Sequence, residues 1–396
     1  MRGESEGTAL WRVRKAELAN EATMERVRVE LGCGDPRKVE DLEVIRSDYE
    51  AWVASQFRTL VHLMTPDWFS AKQSFVYPLL TLNSTTTTYE VLIRYNSCNA
   101  ITAVVITRLR PMRFTDEPAP GYTAFPIGTL QVFTVKVAGI KRGLQWPLDV
   151  FGFVAVSDSI DNNRNIIFNR TRNNCQTLTE KDRYFVLTGP TRAVVWPAHV
   201  TIEVKLTMKG TTESEDKDLS FLAVPLSSSH AARYSYLFRR YKTSKVSTLE
   251  FTFGHIVESV EATIFVRVID GSWPDSCCGQ FAAFSTGVRE KGFRTIDSQK
   301  IILLDSRGEK VLVTGDGEIE LLRHVVSVEK RGTLKVYVKS WDWETSKGKK
   351  NVAEDEWVFA PQEAKRSYGR LDTGFCKMEV TVAWSLISYE PVVLNV

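Results

Sequence analysis

The chain has 396 residues, with 51 basic and 48 acidic side chains and a formal net charge of +3. That balance excludes a protein that binds nucleic acid by overall positive charge, although it leaves room for a local basic patch. Hydrophobic residues at 43% and charged residues at 25% suit an ordinary globular chain of two or three domains.

Residues 1–70 predict a helical N-terminal segment. Asp35 before Pro36 combines a capping carboxylate with a proline where no amide donor is needed. Val39, Leu42, Ile45, Tyr49, Trp52 and Leu60 then recur at helical spacing up to Pro66. Residues 71–110 predict a small β segment, with Tyr89–Ile93 and Ile101–Ile106 as its runs. Pro111, Pro118, Pro120 and Pro126 mark residues 111–128 as an extended linker.

The remainder alternates with a period of two. Val200–Leu206, Leu334–Lys339 and Met378–Trp384 place apolar side chains on every second position, as half-buried strands do. The fold class is mainly β: an antiparallel β-sandwich with two tandem C2-like lobes. The lobes are 129–228 and 247–391, joined by a basic and aromatic connector at 229–246. Leu130–Asp158 and Leu249–Asp270 each read as strand, turn, apolar strand and acidic turn, and can be laid over each other, as an internal duplication or a chance similarity between β-rich segments would allow. Val200–Leu206 falls over Leu334–Lys339 in the same scheme.

Six scattered cysteines without a C-x-x-C, and no apolar leader behind Met1, predict reduced thiols and a cytoplasmic or nuclear location, not secretion. The adjacent pair Cys277–Cys278 reads as part of a Gly/Pro/Ser loop. Five histidines (His62, His199, His230, His255 and His324) lack metal spacing. Acidic turns at Asp158/Asp161, Glu213/Glu215/Asp216/Asp218, Asp270/Asp275 and Asp316/Glu318 would bind calcium only if several converged. Solvated turns explain them more simply. No catalytic residue, metal ligand or cofactor is assigned.

Pro111–Asp116, Gly143–Gly152, Leu187–Val195, Gly210–Lys217, Ser259–Gly271 and Gly374–Trp384 resemble stretches of a grass-plant family known as a domain of unknown function. The resemblance spans about residues 111–391. It implies a domain without an established activity, some relatives of which are joined to ribosome-inactivating rRNA N-glycosidase domains. Those enzymes are similar to one another in a Glu-Ala-Ala-Arg-aromatic motif, whose carboxylate and arginine stabilise the departing adenine. Here His230–Tyr234 has the arginine without the carboxylate, and Glu261–Phe265 has the carboxylate with Ile264 in the arginine's place.

From Leu219 to Leu249 there is no acidic residue. Arg233, Tyr236, Arg239, Arg240, Tyr241, Lys242 and Lys245 are the candidate binding residues: basic groups meet negative charge, and rings stack or wedge. The expected function is non-catalytic binding or scaffolding in a plant cell, linked to defence or stress. The alternatives are a protein associated with rRNA N-glycosidase activity and a C2-like lipid- or calcium-binding module. A protein partner is expected at the patch, with acidic lipid or nucleic acid as its competitors. The sequence does not set the oligomeric state.

Overall fold

The computed structural model describes residues 109–121, 123–141, 143–160, 163–196, 200–226, 233–288, 294–342 and 352–388. All belong to one compact unit, Asn99–Val396. The expected N-terminal helices, and the small β segment up to residue 108, lie outside the described residues. No α-helix occurs among those described.

In chain order the strands are β1 (Ala124–Phe125), β2 (Ile127–Ile140), β3 (Leu148–Ser157), β4 (Asn165–Arg170), β5 (Gln176–Leu178) and β6 (Val194–Val195). Then come β7 (Val200–Met208), β8 (Lys217–Leu226), β9 (Tyr236–Thr243), β10 (Ser247–Gly271), β11 (Cys277–Ser285) and β12 (Ile301–Asp305). The last are β13 (Val325–Glu329), β14 (Leu334–Asp342), β15 (Val352–Phe359), β16 (Arg366–Asp372), β17 (Cys376–Ser385) and β18 (Ile387–Ser388).

Alternation builds these strands. In β7, Val200, Ile202, Val204, Leu206 and Met208 are buried while the residues between them are not. In β14, Leu334, Val336 and Val338 are buried and Lys335, Tyr337 and Lys339 face outward. Burying each such aliphatic side chain contributes about 1.5–3 kcal/mol, so one strand face anchors its sheet firmly. All named strand pairs are antiparallel.

The pairing pattern occurs twice. In the first set β2 lies between β6 and β10, β9 lies on β10, β3 lies between β4 and β7, and β8 lies on β7. In the second set β10 lies between β13 and β17, β16 lies on β17, β11 lies between β12 and β14, and β15 lies on β14. The partners correspond one to one in chain order, with β7 matching β14. Each set closes over its own core: one formed by residues such as Val135, Val154, Val204 and Phe251, the other by Ala262, Phe281, Val336 and Val380.

Strand β10 belongs to both sets. It is the last strand of the first and the first strand of the second. Leu249, Phe251 and Phe253 enter one core, and Ile256, Val260, Ile264 and Val266 the other. Leu249–Asp270 is therefore one unbroken strand, not the strand–turn–strand the overlay expects. Apolar residues on both of its faces conceal the continuity. The join is a bulge where the register with β2 slips between Ile256 and Ser259, and Glu258 there has φ +42°.

Candidate interaction site

The expected binding residues fall on and around β9. Tyr236, Arg239, Arg240, Tyr241 and Lys242 lie within the strand, Arg233 precedes it, and Lys245 occupies the turn into β10. Among the described residues β9 pairs with β10 alone, so it is a sheet edge. Alternation divides its side chains. Arg239 and Tyr241 share one face; Tyr236, Phe238, Arg240 and Lys242 share the other.

The second face begins inside the protein. Phe238 stacks on Trp196 at 5.4 Å and meets Phe253 at the same separation. Tyr236 stands edge-on to His255, and burial pushes its phenol pKa up. Tyr236 is thus mainly a packing residue. Arg240 folds back over the Phe238 ring, 4.9 Å from its centroid, and donates to the Arg239 carbonyl. Arg233, Arg239, Arg240, Tyr241 and Lys245 are exposed, and Lys242 is half-buried.

The first face carries a row that sequence reasoning missed. Tyr184, Lys136, Glu250 and Tyr241 stand directly opposite one another across four neighbouring segments. Lys136 Nζ is 2.8 Å from Glu250 Oε2 and 5.4 Å from the Tyr184 ring centre. Arg239 approaches Glu250 at 3.6 Å. Burial opposes the Glu250 charge, but hydrogen bonds from Lys136 and Tyr241, with the charge of Arg239, hold its pKa below the usual range. The hydrogen bond to Glu250 likewise raises the Lys136 pKa. Only strand register brings these residues together, so local sequence carries no sign of the row.

A second polar cluster lies between β3, β6 and β10. Arg192 holds Asp158 through two hydrogen bonds, of 2.6 and 2.8 Å, with both residues buried. Asp158 also accepts the Ile160 and Val195 N–H groups. Glu261 accepts N–H groups from Met112 at 2.9 Å and Ala193 at 2.7 Å. Burial raises its pKa against those two bonds and the charge of Arg192. Arg113, Arg192 and Glu261 line a cavity there of about 20 Å³. That volume holds roughly one water and no substrate. The carboxylate that superficially matches an N-glycosidase motif is thus occupied with backbone, and His230 lies outside the described residues.

Other expected features resolve separately. Among the described residues the acidic turns bring together no group of three or more side chains that could hold a metal ion, and several have a cation of their own: Asp158 with Arg192, Asp216 with Arg172, Asp270 with Lys377, Asp275 with Lys310 and Asp316 with Arg267. Cys277 and Cys278 open strand β11 instead of lying in a loop, and burial raises the Cys277 thiol pKa. An open groove of about 300 Å³ on the second half is lined by Phe265, Arg267, Glu318, Tyr368, Glu379 and Thr381. No helix among the described residues is long and apolar enough to cross a membrane.

These features define a mainly β chain of antiparallel sheets whose charged, exposed strand edge is its most distinctive surface. The chain belongs to the family described as domain of unknown function DUF6598, whose family model matches residues 129–382. No curated protein matches it. Among solved structures it is similar to human GIVD cytosolic phospholipase A2, at 11% identity and a TM-score of 0.21. That match covers 66% of this chain and 33% of the solved one. The same enzyme in complex with methyl gamma-linolenyl fluorophosphonate matches at 9% identity and a TM-score of 0.21, covering 66% and 32%. The chain therefore spans about a third of those solved chains.

Proposed function

We propose that this chain is a non-catalytic binding protein that docks an acidic partner on the β9 edge. One observation carries the reading: a strand edge open among the described residues is lined by Arg239, Arg240, Lys242 and Lys245, with only Arg239 drawn to a carboxylate among them. Charge on an edge keeps like copies apart. The same charge attracts a partner of opposite sign. The plant-cell setting, with its link to defence or stress, comes from the family resemblance and is part of this proposal. Association with rRNA N-glycosidase activity rests on the resemblance alone.

The test reverses Arg239, Arg240, Lys242 and Lys245 to Glu in the full chain. Partner recovery from plant extract, flotation with anionic vesicles and oligonucleotide shift are compared with the parent protein. Loss in one assay identifies the partner class. Unchanged behaviour in all three removes the β9 edge as the docking site.

A second reading, a C2-like lipid module, draws on the twice-repeated arrangement of eight strand positions in two sheets. The scattered acidic turns with their own cations favour calcium-independent attraction to lipid over calcium bridging. Flotation with phosphatidylserine vesicles, equal with and without calcium, is the expected result under that reading.

A further inference from the structure

The β9 edge offers backbone as well as charge. The Leu237 N–H donates away from β10, to the Arg294 carbonyl at 2.8 Å. Direction alternates along a strand, so the N–H and C=O groups of Arg239, Tyr241 and Thr243 also point away from β10. The turn agrees: Ser244 donates inward to Ser247, which puts the even-numbered residues on the β10 side. The run Arg239–Thr243, unpaired on that side with other strands among the described residues, is five residues long, about 17 Å at the usual strand rise, and its Arg239 carbonyl would exchange the Arg240 side chain for a partner's N–H.

The chemistry selects the occupant. A second copy pairing β9 with β9 would set Arg239, Arg240 and Lys242 against their own kind, which is destabilising. Nucleic acid on a single strand needs several open rings to stack on, and here Tyr236 and Phe238 are engaged with His255, Trp196 and Phe253. Only Tyr241 stands free enough, at 56% exposure. The repeat offers a parallel in the other half, where β16 holds the place of β9. At the start of β16 a turn of the same chain, Met112–Asp116, closed by the Thr115 N–H on the Met112 carbonyl, is docked. Its Thr115 carbonyl accepts the Lys365 N–H at 2.9 Å, and the Asp116 carboxylate takes both arms of Arg366. Backbone and one acid together hold that segment against a strand that opens with arginine.

We infer that the β9 partner is an extended acidic peptide segment that adds to the sheet as a further antiparallel strand along Arg239–Thr243. The inference rests on the reading of the β9 edge as the docking site and specifies how that site works. Backbone bonds supply the fit, and acidic side chains on alternate positions meet Arg240 and Lys242, which share one face of β9.

The experiment titrates the full chain with a labelled, end-blocked peptide, Thr-Glu-Val-Asp-Val-Glu-Thr. A second peptide has the same side chains but N-methyl groups on alternate amides, which removes its donors and keeps its charge. The unmodified peptide is expected to bind, with the methylated one weaker by about tenfold or more, the loss of one or two hydrogen bonds at least. The Tyr241→Pro variant deletes one outward donor and spares the backbone bonds to β10, and with Tyr241→Phe as the control for the lost hydroxyl contact to Glu250 it is expected to weaken the unmodified peptide as well. Arg240→Glu with Lys242→Glu is expected to abolish binding. Equal binding of the two peptides, still lost on charge reversal, overturns strand addition and keeps β9 as the site. Binding that ignores charge reversal, or no binding by either peptide, overturns both.

Discussion

Glu261 accepts the backbone N–H of Ala193 at 2.7 Å, tying the middle of β10 to the loop that enters β6. Its other oxygen takes the N–H of Met112, in the stretch the sequence reads as a linker. One carboxylate thus fixes two segments lying 68 and 149 residues away in the chain. In Glu261→Gln a single amide oxygen replaces two acceptors, and one N–H is left without a partner. The expected cost is about 1–3 kcal/mol at neutral pH, read from urea unfolding. The pH dependence has a definite sign. Burial raises the folded-state pKa above 4.5, so the parent gains stability from this group as pH falls through that raised value toward 4.5. Gln has no such gain, and the gap between the two proteins should widen on acidification. A gap that narrows would show that Glu261 is held mainly as an anion.

Much of the fold was legible because alternation reports a half-buried sheet directly. Val200–Met208 and Leu334–Asp342 are strands with the expected faces inward, and they occupy matching positions in the two sets. Alternation says nothing where both faces are buried, as in β10, so its passage from one core to the other was hidden. It also fails where a strand carries cations on both faces. Arg239, Arg240 and Lys242 read as a connector because edge position, not hydrophobicity, keeps them in the sheet. The candidate residues were found from composition. Their division between two faces, and the opposition of Glu250 to Lys136 and Tyr241, depend on register that no local pattern encodes.

Asp158 and Arg192 form a buried pair whose partners are not interchangeable. Asp158→Asn leaves the guanidinium in place, 3% exposed, without its counter-charge. The expected loss is about 3–5 kcal/mol, the scale seen when one partner of a buried ion pair is removed. Replacing both, as Asp158→Leu with Arg192→Met, should recover much of that loss. The shortfall that remains reflects the Ile160 and Val195 N–H groups that Asp158 also serves. Equal unfolding midpoints for the single and double variants would contradict the assignment.

His255 is buried between aromatic rings, with Trp196 at 4.6 Å and Tyr236 at 5.5 Å. Burial lowers its pKa from 6.5 to about 4. The neutral ring belongs to the folded state, and the unfolded chain takes the proton first. Stability from this residue is therefore fully present above pH 6.5 and declines as pH falls toward 4. The whole decline amounts to about 3 kcal/mol. In His255→Phe that part of the acid sensitivity should disappear, giving a flatter dependence of unfolding free energy on pH between about 7 and 4. Parallel curves for parent and variant would mean that the histidine titrates normally.

Arg323 is the least compensated charge among the described residues. It is 1% exposed, donates to the Val132 carbonyl at 2.8 Å, and has no partner for its Nε among those residues. Desolvation lowers its pKa to about 10, which leaves it protonated at neutral pH and destabilising to the folded state. Its aliphatic stem still fills buried space, so the charge and the volume can be separated by substitution. Arg323→Met keeps the length and deletes the charge, and should raise the unfolding free energy by about 1–2 kcal/mol, the scale seen when buried ionic groups become apolar, read as a higher urea midpoint. Arg323→Ala deletes both, and the cavity it leaves should cancel or reverse the gain. The slope of the transition should stay constant across the three proteins, since the surface exposed on unfolding hardly changes. If Met destabilises as much as Ala does, the guanidinium is bonded well enough to stabilise the fold, and the Val132 carbonyl is its anchor.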